Sequence, residues 1–243
     1  MNITAIIQAR MGSTRLPGKV LFQLMGKSVL SHVIERLQAV DRINKIVVAT
    51  TEMPSDDPIV KESNSLGIEV YRGSESDVLS RYYEAAILAN ADGIVRITSD
   101  CPLIDPEVTR EVICTFIENR YDYVSNCLQR SFPRGLDTEV FSMGVLKETF
   151  VQAKRPEQRE HVTPYIYTNA ERFRLYNVLS AADYSRHRWT LDTIEDWNLI
   201  VEIYKHLYNR KRVFSWHEVI ELLERYPDLI EINQHIEQKR VET

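Results

Sequence analysis

The apolar positions of this chain follow two alternating periods. From Ile3 to Ala9 nearly every residue is apolar and none is a turn former, the pattern of a strand covered on both faces. Arg10 to Lys27 has no period and reads as irregular. Ser28 then stands where it can cap a helix whose apolar positions, Val29, Leu30, Val33, Ile34 and Leu37, repeat at helical spacing. Strands are predicted at Lys45–Thr50, Ile68–Tyr71, Gly93–Thr98 and Tyr121–Ser125, with helices at Asp57–Leu66, Ser76–Asn90 and from Asp105-Pro106-Glu107 to about Asn119. Gly67 falls where a helix C-terminal cap is expected. The Asp-Pro-Glu start combines a capping carboxylate, a proline at the first helical position and an acid in the first turn.

A strand–helix pair about every 25 residues predicts right-handed βαβ units and a mostly parallel sheet of the Rossmann-like α/β class. After Asn126 the rhythm breaks. Leu136–Phe141 and Phe173–Leu179 read as strands flanking helices at Met143–Ala153 and Pro156–Asn169. Two helices follow, Thr193–Tyr208 and Ser215–Arg225, each opening with capping-box spacing, Thr193 with Asp196 and Ser215 with Glu218. No repeat or linker interrupts the chain, which reads as a single domain over 1–243 with an elaborated C-terminal part. In such sheets ligands sit beyond the carboxyl ends of the strands, so the segments 10–19, 51–57, 72–77 and 99–102 come first as site candidates.

Composition narrows the class. At 44% apolar and 27% charged residues the chain is of ordinary globular type, not disordered or collagenous. Its net charge of −5 disfavours generic nucleic-acid binding, and no apolar run reaches bilayer length. The first residues lack a basic stretch and a small-residue cleavage site, and the 3 cysteines form no disulfide or zinc framework, so a reducing cytoplasm is expected.

Charge is most uneven at the start. Residues 1–34 hold 4 Lys/Arg and no acid, although the overall composition predicts about 5 acids there. The segment Arg10-Met11-Gly12-Ser13-Thr14-Arg15-Leu16-Pro17-Gly18-Lys19 follows the first strand. Its glycines let backbone N–H groups approach a ligand, and its cations supply charge-assisted donors, a composition suited to a polyphosphate. It is not a Walker A loop, because 5 residues separate Gly12 from Gly18 and Val20 replaces the magnesium-binding hydroxyl. Asp100 follows a central strand and suits Mg²⁺, which takes few carboxylates together with phosphate and water.

The segment QARMGSTRLPGKVL resembles the N-terminal signature of the cytidylyltransferases that activate acidic sugars, the CMP-Kdo and CMP-sialic acid synthetases. It is similar above all to the spore coat polysaccharide biosynthesis protein F family. Further blocks of that resemblance are Asp77-Val78-Leu79 with Arg81-Tyr82, 98–105, 134–139, 159–164, 188–193 and the tail from Ser215 to Lys239. The resemblance implies a nucleotide-diphospho-sugar transferase fold and a Mg²⁺-dependent transfer of CMP from CTP to a sugar acid. By analogy it also implies a homodimer, with residues 1–126 as the nucleotide half and 127–243 as the acceptor and helical part.

Carried over residue by residue, it places Arg10, Ser13, Arg15 and Lys19 on the triphosphate, with Met11 and Gly12 between them. Arg15, Lys19 and Asp100 are implied to be catalytic, and Asp100 and Asp192 to hold the metal. Arg72, Gly73, Ser76, Asp77 and Ser99 fall to the nucleotide, and Arg134, Asp137, Glu139, Arg159 and His161 to the acceptor. Plainer readings stand beside three of these. Asp192 precedes a helix and can simply flank its N-terminus, Asp77 can form a surface ion pair with Arg81 four residues on, and Arg159 can lie on a solvated helix face. A nucleotide-sugar-dependent glycosyltransferase of related fold is the rival activity, although no Asp-x-Asp pair stands at residue 100.

Overall fold

The computed structural model describes residues 1–238, so Lys239, the end of the resembling tail, lies outside the described residues. The predicted first strand forms as β1 (Ile3–Gln8), and its alternation divides two cores: Ile3, Ala5 and Ile7 pack on one face, Ile6 on the other. β2 (Gln23–Leu24) and β3 (Lys27–Ser28) make a small hairpin inside the stretch read as irregular. The next elements are α1 (Val29–Gln38), β4 (Lys45–Thr51), α2 (Asp57–Ser65), β5 (Glu69–Gly73), α3 (Val78–Leu88), β6 (Gly93–Thr98), α4 (Pro106–Asn119) and β7 (Tyr123–Ser125). Then come β8 (Glu139–Ser142), α5 (Met143–Gln152), α6 (Pro156–His161), α7 (Pro164–Tyr167), β9 (Leu175–Asn177), α8 (Ile194–Leu207), α9 (Trp216–Arg225) and α10 (Asp228–Glu231).

The main sheet has 7 strands in the order β5-β4-β1-β6-β8-β7-β9. Only β8 runs against its neighbours, so the expected mostly parallel α/β fold is the observed one. Helices α1, α4, α8 and α9 bury their apolar stripes on one face, and α3, α5 and α7 on the other. The caps follow the sequence. Ser28 accepts from Ser31 N–H, Asp105 from Glu107 and Val108 N–H, and both capping boxes form.

The single helix expected over Pro156–Asn169 is corrected. The chain breaks at Val162, whose φ is 71°, and Pro164 cannot continue the α6 hydrogen-bond ladder. The break turns the Thr163 hydroxyl onto Glu139, at 3.0 Å. The strand expected at Phe173–Leu179 shortens to β9, and no described helix is long and apolar enough to cross a membrane.

Sheet order decides where a ligand belongs. β4 and β5 lie on one side of β1 and β6 on the other, so the direction of winding reverses between β1 and β6. The crevice beyond their carboxyl ends is the expected ligand position, and the loops carrying Lys19 and Asp100 leave these two strands.

Candidate active site

The acid-free loop closes on itself. The Met11 carbonyl accepts from Ser13 N–H at 2.9 Å and Gly18 N–H at 3.0 Å, and Ser13 Oγ accepts from Leu16 N–H. Gly18 adopts a φ of 72°, which a side chain would resist. The loop is tied to β4 through Asp56, whose carboxylate accepts from Met11 N–H at 2.7 Å and from the Thr51 hydroxyl. Arg10, Gly12 and Arg15 stay exposed, while Lys19 is drawn inward and is 8% exposed.

Lys19 directs its three Nζ–H donors to Asp100 Oδ2 at 2.8 Å, Asp192 Oδ1 at 2.7 Å and the Leu191 carbonyl at 2.6 Å. Asp192 Oδ2 also receives Arg15 at 2.9 Å and Arg188 at 3.0 Å. Arg188 in turn forks onto the fully buried Asp196, at 2.9 and 3.0 Å. Burial alone would raise the Asp192 pKa, but Lys19, then Arg15 and Arg188, hold it below the usual carboxylate range. Burial likewise opposes the charge on Lys19, and Asp100 and Asp192 hold its pKa above the ordinary lysine value.

Asp192 therefore does not serve the helix behind it, which Thr193 and Asp196 cap between themselves. Asp192 reaches Asp100 because the segment 188–192 is clamped. Trp189 N–H donates to the Arg134 carbonyl at 2.7 Å, Arg134 N–H to the His187 carbonyl at 3.0 Å, and Leu191 N–H to the Asp100 carbonyl at 2.8 Å. Gly135 permits the approach: its φ is +108°, and a Cβ there would stand 2.7 Å from the Trp189 carbonyl carbon.

The remaining candidates sort by their partners. Arg72 is bound to the Thr51 and Met53 carbonyls and to Asp57. Asp77 caps α3 and forks with Arg159, 82 residues away, so the i,i+4 pair with Arg81 does not form and Arg159 is not a free surface charge. Arg159 also donates to the Phe150 carbonyl at 2.8 Å and covers the Phe150 ring. Gly73 is buried, Ser76 is exposed, and Ser99 N–H donates to the Gln8 carbonyl.

On the acceptor side Asp137 forks with Arg130, at 2.7 and 2.6 Å, so it is already neutralised. Glu139, 6% exposed, joins Arg96 at 2.7 Å, the Tyr123 hydroxyl at 2.9 Å and Thr163. His161 lies close enough to feel that network: burial lowers its pKa, Glu160 opposes this and Arg96 adds to it. The Arg134 guanidinium makes no hydrogen bond or ion pair among the described residues, which leaves it available to an anion. Arg188 and Arg96 are residues of this network that sequence reasoning gave no role; Asp56 lay within the candidate segment 51–57, and Asp196 was read only as half of a capping box. The Arg96 partner Glu139 is 43 residues away in sequence, and for Arg188 the signal was its place in the resembling block 188–193.

Asp100 and Asp192 fit a hard divalent cation. Both present an oxygen to one point now held by an ammonium, and among the described residues no group of 3 or more metal-type side chains competes with them. They would hold Mg²⁺ with phosphate and water completing the shell, as is usual for that ion.

Comparison with known proteins identifies the family. The chain is 35% identical to spore coat polysaccharide biosynthesis protein SpsF of Bacillus subtilis, over 93% of this chain and 96% of that one. It is 29% identical to a 3-deoxy-manno-octulosonate cytidylyltransferase of Geobacter sulfurreducens, over 99% and 86% of the two chains. The solved structure of a cytidylyltransferase from Leptospira borgpetersenii superposes with a TM-score of 0.91 at 35% identity, covering 99% of this chain and 100% of that one. The cytidylyltransferase family profile matches residues 4–241, and the chain belongs to that family.

Proposed function

We propose that this protein transfers CMP from CTP to an acidic sugar, a nonulosonic or Kdo-like acid, and releases pyrophosphate. The product would feed the synthesis of a cell-surface or spore-coat polysaccharide. The observation that carries this reading is the convergence of Lys19, Asp100 and Asp192, with Arg15, at the winding reversal between β1 and β6. The name of the Geobacter relative, an octulosonate cytidylyltransferase, supports the choice of acceptor class.

The protein's own work in such a transfer is alignment and charge stabilisation, since the sugar hydroxyl is the nucleophile and pyrophosphate the leaving group. Arg10, Ser13 and the N–H groups around Gly12 would take the triphosphate. Arg15 and Lys19 would neutralise charge on the departing pyrophosphate. Mg²⁺ held by Asp100 and Asp192 would supply Lewis-acid polarisation of the α-phosphate. Arg134, unpaired among the described residues, suits the sugar carboxylate, and His161 and Glu139 border the same end of the sheet. Residues 1–126 would then form the nucleotide half and 127–243 the acceptor half of one unit, with homodimerisation by analogy.

A pyrophosphate-release assay with CTP, Mg²⁺ and a panel of sugar acids tests this. Product formation is expected, and Asp100→Ala should lower turnover by orders of magnitude while far-ultraviolet circular dichroism stays unchanged. Sugar transfer from a nucleotide-diphosphate sugar, with no pyrophosphate from CTP, would establish the glycosyltransferase instead.

A further inference from the structure

Thr193–Asp196 and Ser215–Glu218 are the same capping box on two helices, yet their acids end in different surroundings. The Glu218 side chain is 29% exposed and pairs with the exposed Arg212. Asp196 is fully buried and accepts 5 hydrogen bonds: two from Arg188, one each from Asp192 N–H and Thr193 N–H, and one from Asn233 Nδ2 at 2.9 Å. Asn233, itself 3% exposed, reaches back from beyond α10 and also donates to the Arg188 carbonyl at 2.8 Å. Arg188 Nη1 donates to Gln238 in the same segment. Capping α8 needs only the Thr193 N–H contact, so it accounts for neither the buried arginine nor the amide brought from the far end of the described chain.

The same arginine holds Asp192. Arg188 Nη2 reaches Asp192 Oδ2 at 3.0 Å, beside Arg15 at 2.9 Å, while Lys19 takes Oδ1. Three cations, Lys19, Arg15 and Arg188, thus face three carboxylates, Asp100, Asp192 and Asp196. Without Asp196 the cations would outnumber the carboxylates, and a divalent cation would enter against a repulsion that burial leaves poorly screened. Once Lys19 and Arg15 turn to phosphates, Asp100, Asp192 and Asp196 exceed Arg188 by two charges, the charge of that cation.

We infer that Asp196 is a positioning residue that acts as the counter-charge of Arg188. It lets the guanidinium fix Asp192 by hydrogen bonds while cancelling the repulsion that the same guanidinium would exert on a divalent cation bound there. Asn233 orients Asp196 and Arg188 from behind, so the segment after α10 takes part in building the site. This rests on the metal-dependent cytidylyl reading above and extends it from the carboxylates to the residues that set their charge balance. Partners that orient a metal-binding side chain in this way typically change metal affinity by about tenfold to a hundredfold.

Electron paramagnetic resonance titration with Mn²⁺ alone compares wild-type protein, Asp192→Ala, Asp196→Asn and the double variant Arg188→Gln/Asp196→Asn, with circular dichroism as the folding control. Asp196→Asn keeps an oxygen for the cap and removes the charge, and should weaken Mn²⁺ binding about tenfold to a hundredfold. The double variant removes both charges and should recover most of that loss, because the two are coupled. A double variant as weak as Asp196→Asn would make the contacts purely structural and overturn the inference. Crystals of wild-type protein grown with Mn²⁺ and CTP decide the matter even if the variants do not fold. Arg188 should still bridge Asp192 and Asp196 in them, and an Arg188 turned away onto a phosphate overturns the inference. Mn²⁺ binding unaffected by Asp192→Ala overturns it together with the metal reading, whereas Asp192-dependent binding that is unchanged in Asp196→Asn overturns it alone.

Discussion

Replacing Lys19 by methionine keeps the volume of the side chain and removes the ammonium that joins Asp100 to Asp192. The loss can be sized from three contacts, 2.8 Å to Asp100, 2.7 Å to Asp192 and 2.6 Å to the Leu191 carbonyl. Breaking one side of a buried ion pair costs about 3–5 kcal/mol when the abandoned charge is fully enclosed. Here the abandoned groups are less confined, since the Asp100 and Asp192 side chains are 24% and 16% exposed and Asp192 keeps Arg15 and Arg188. A loss of about 2–3 kcal/mol is therefore expected in urea unfolding without divalent metal. The same substitution removes a cation that competes for the two carboxylates. Electron paramagnetic resonance titration should show Mn²⁺ binding the nucleotide-free variant tighter than it binds wild-type protein. Turnover should nevertheless fall by about a hundredfold or more, because a charge stabiliser of the leaving group is gone. A variant as stable as wild type, with unchanged Mn²⁺ affinity, would show that Lys19 does not hold the carboxylate pair and would refute the reasoning.

Three further outcomes are expected. Arg159→Ala leaves Asp77 without its forked partner and uncovers Phe150, which should cost about 2 kcal/mol in thermal unfolding. His187 is held down to about 4, first by burial and then by Arg186, so the folded protein favours the neutral ring. Its contribution to stability is full above pH about 6.5 and is lost as pH falls toward 4, so denaturant midpoints should drop across that window and drop less in His187→Gln. Gly135→Ala sets a Cβ 2.7 Å from the Trp189 backbone at a φ of +108°, and should destabilise by at least about 3 kcal/mol, with loss of soluble expression as the simplest readout.

Much of the architecture is legible in local pattern. The near-continuous apolar run of Ile3–Ile7, buried throughout, and helical spacing from Val29 to Leu37 need only neighbouring residues, and so do the caps at Ser28, Asp105, Thr193 and Ser215. The acid-free start and the loop from Arg10 to Lys19 are also properties of the linear chain. The misread helix at Pro156–Asn169 shows the limit: helical spacing continued through Val162 and Thr163, but Pro164 lacks the N–H that the ladder required.

The electrostatic pairing was settled elsewhere. Whether Lys19 faces solvent or two carboxylates depends on Asp192, which arrives from 173 residues away through the clamp made at Gly135 and Trp189. The choice of Asp77 between Arg81 and Arg159 was set by how α6 docks against α3, and that docking left Arg81 buried and alone. Local order follows from hydrogen bonds and periodicity spanning a few residues, which the linear chain specifies directly. Charges act through space, so the partner each one finds is decided by strand order, register and helix docking, and only the folded chain contains those.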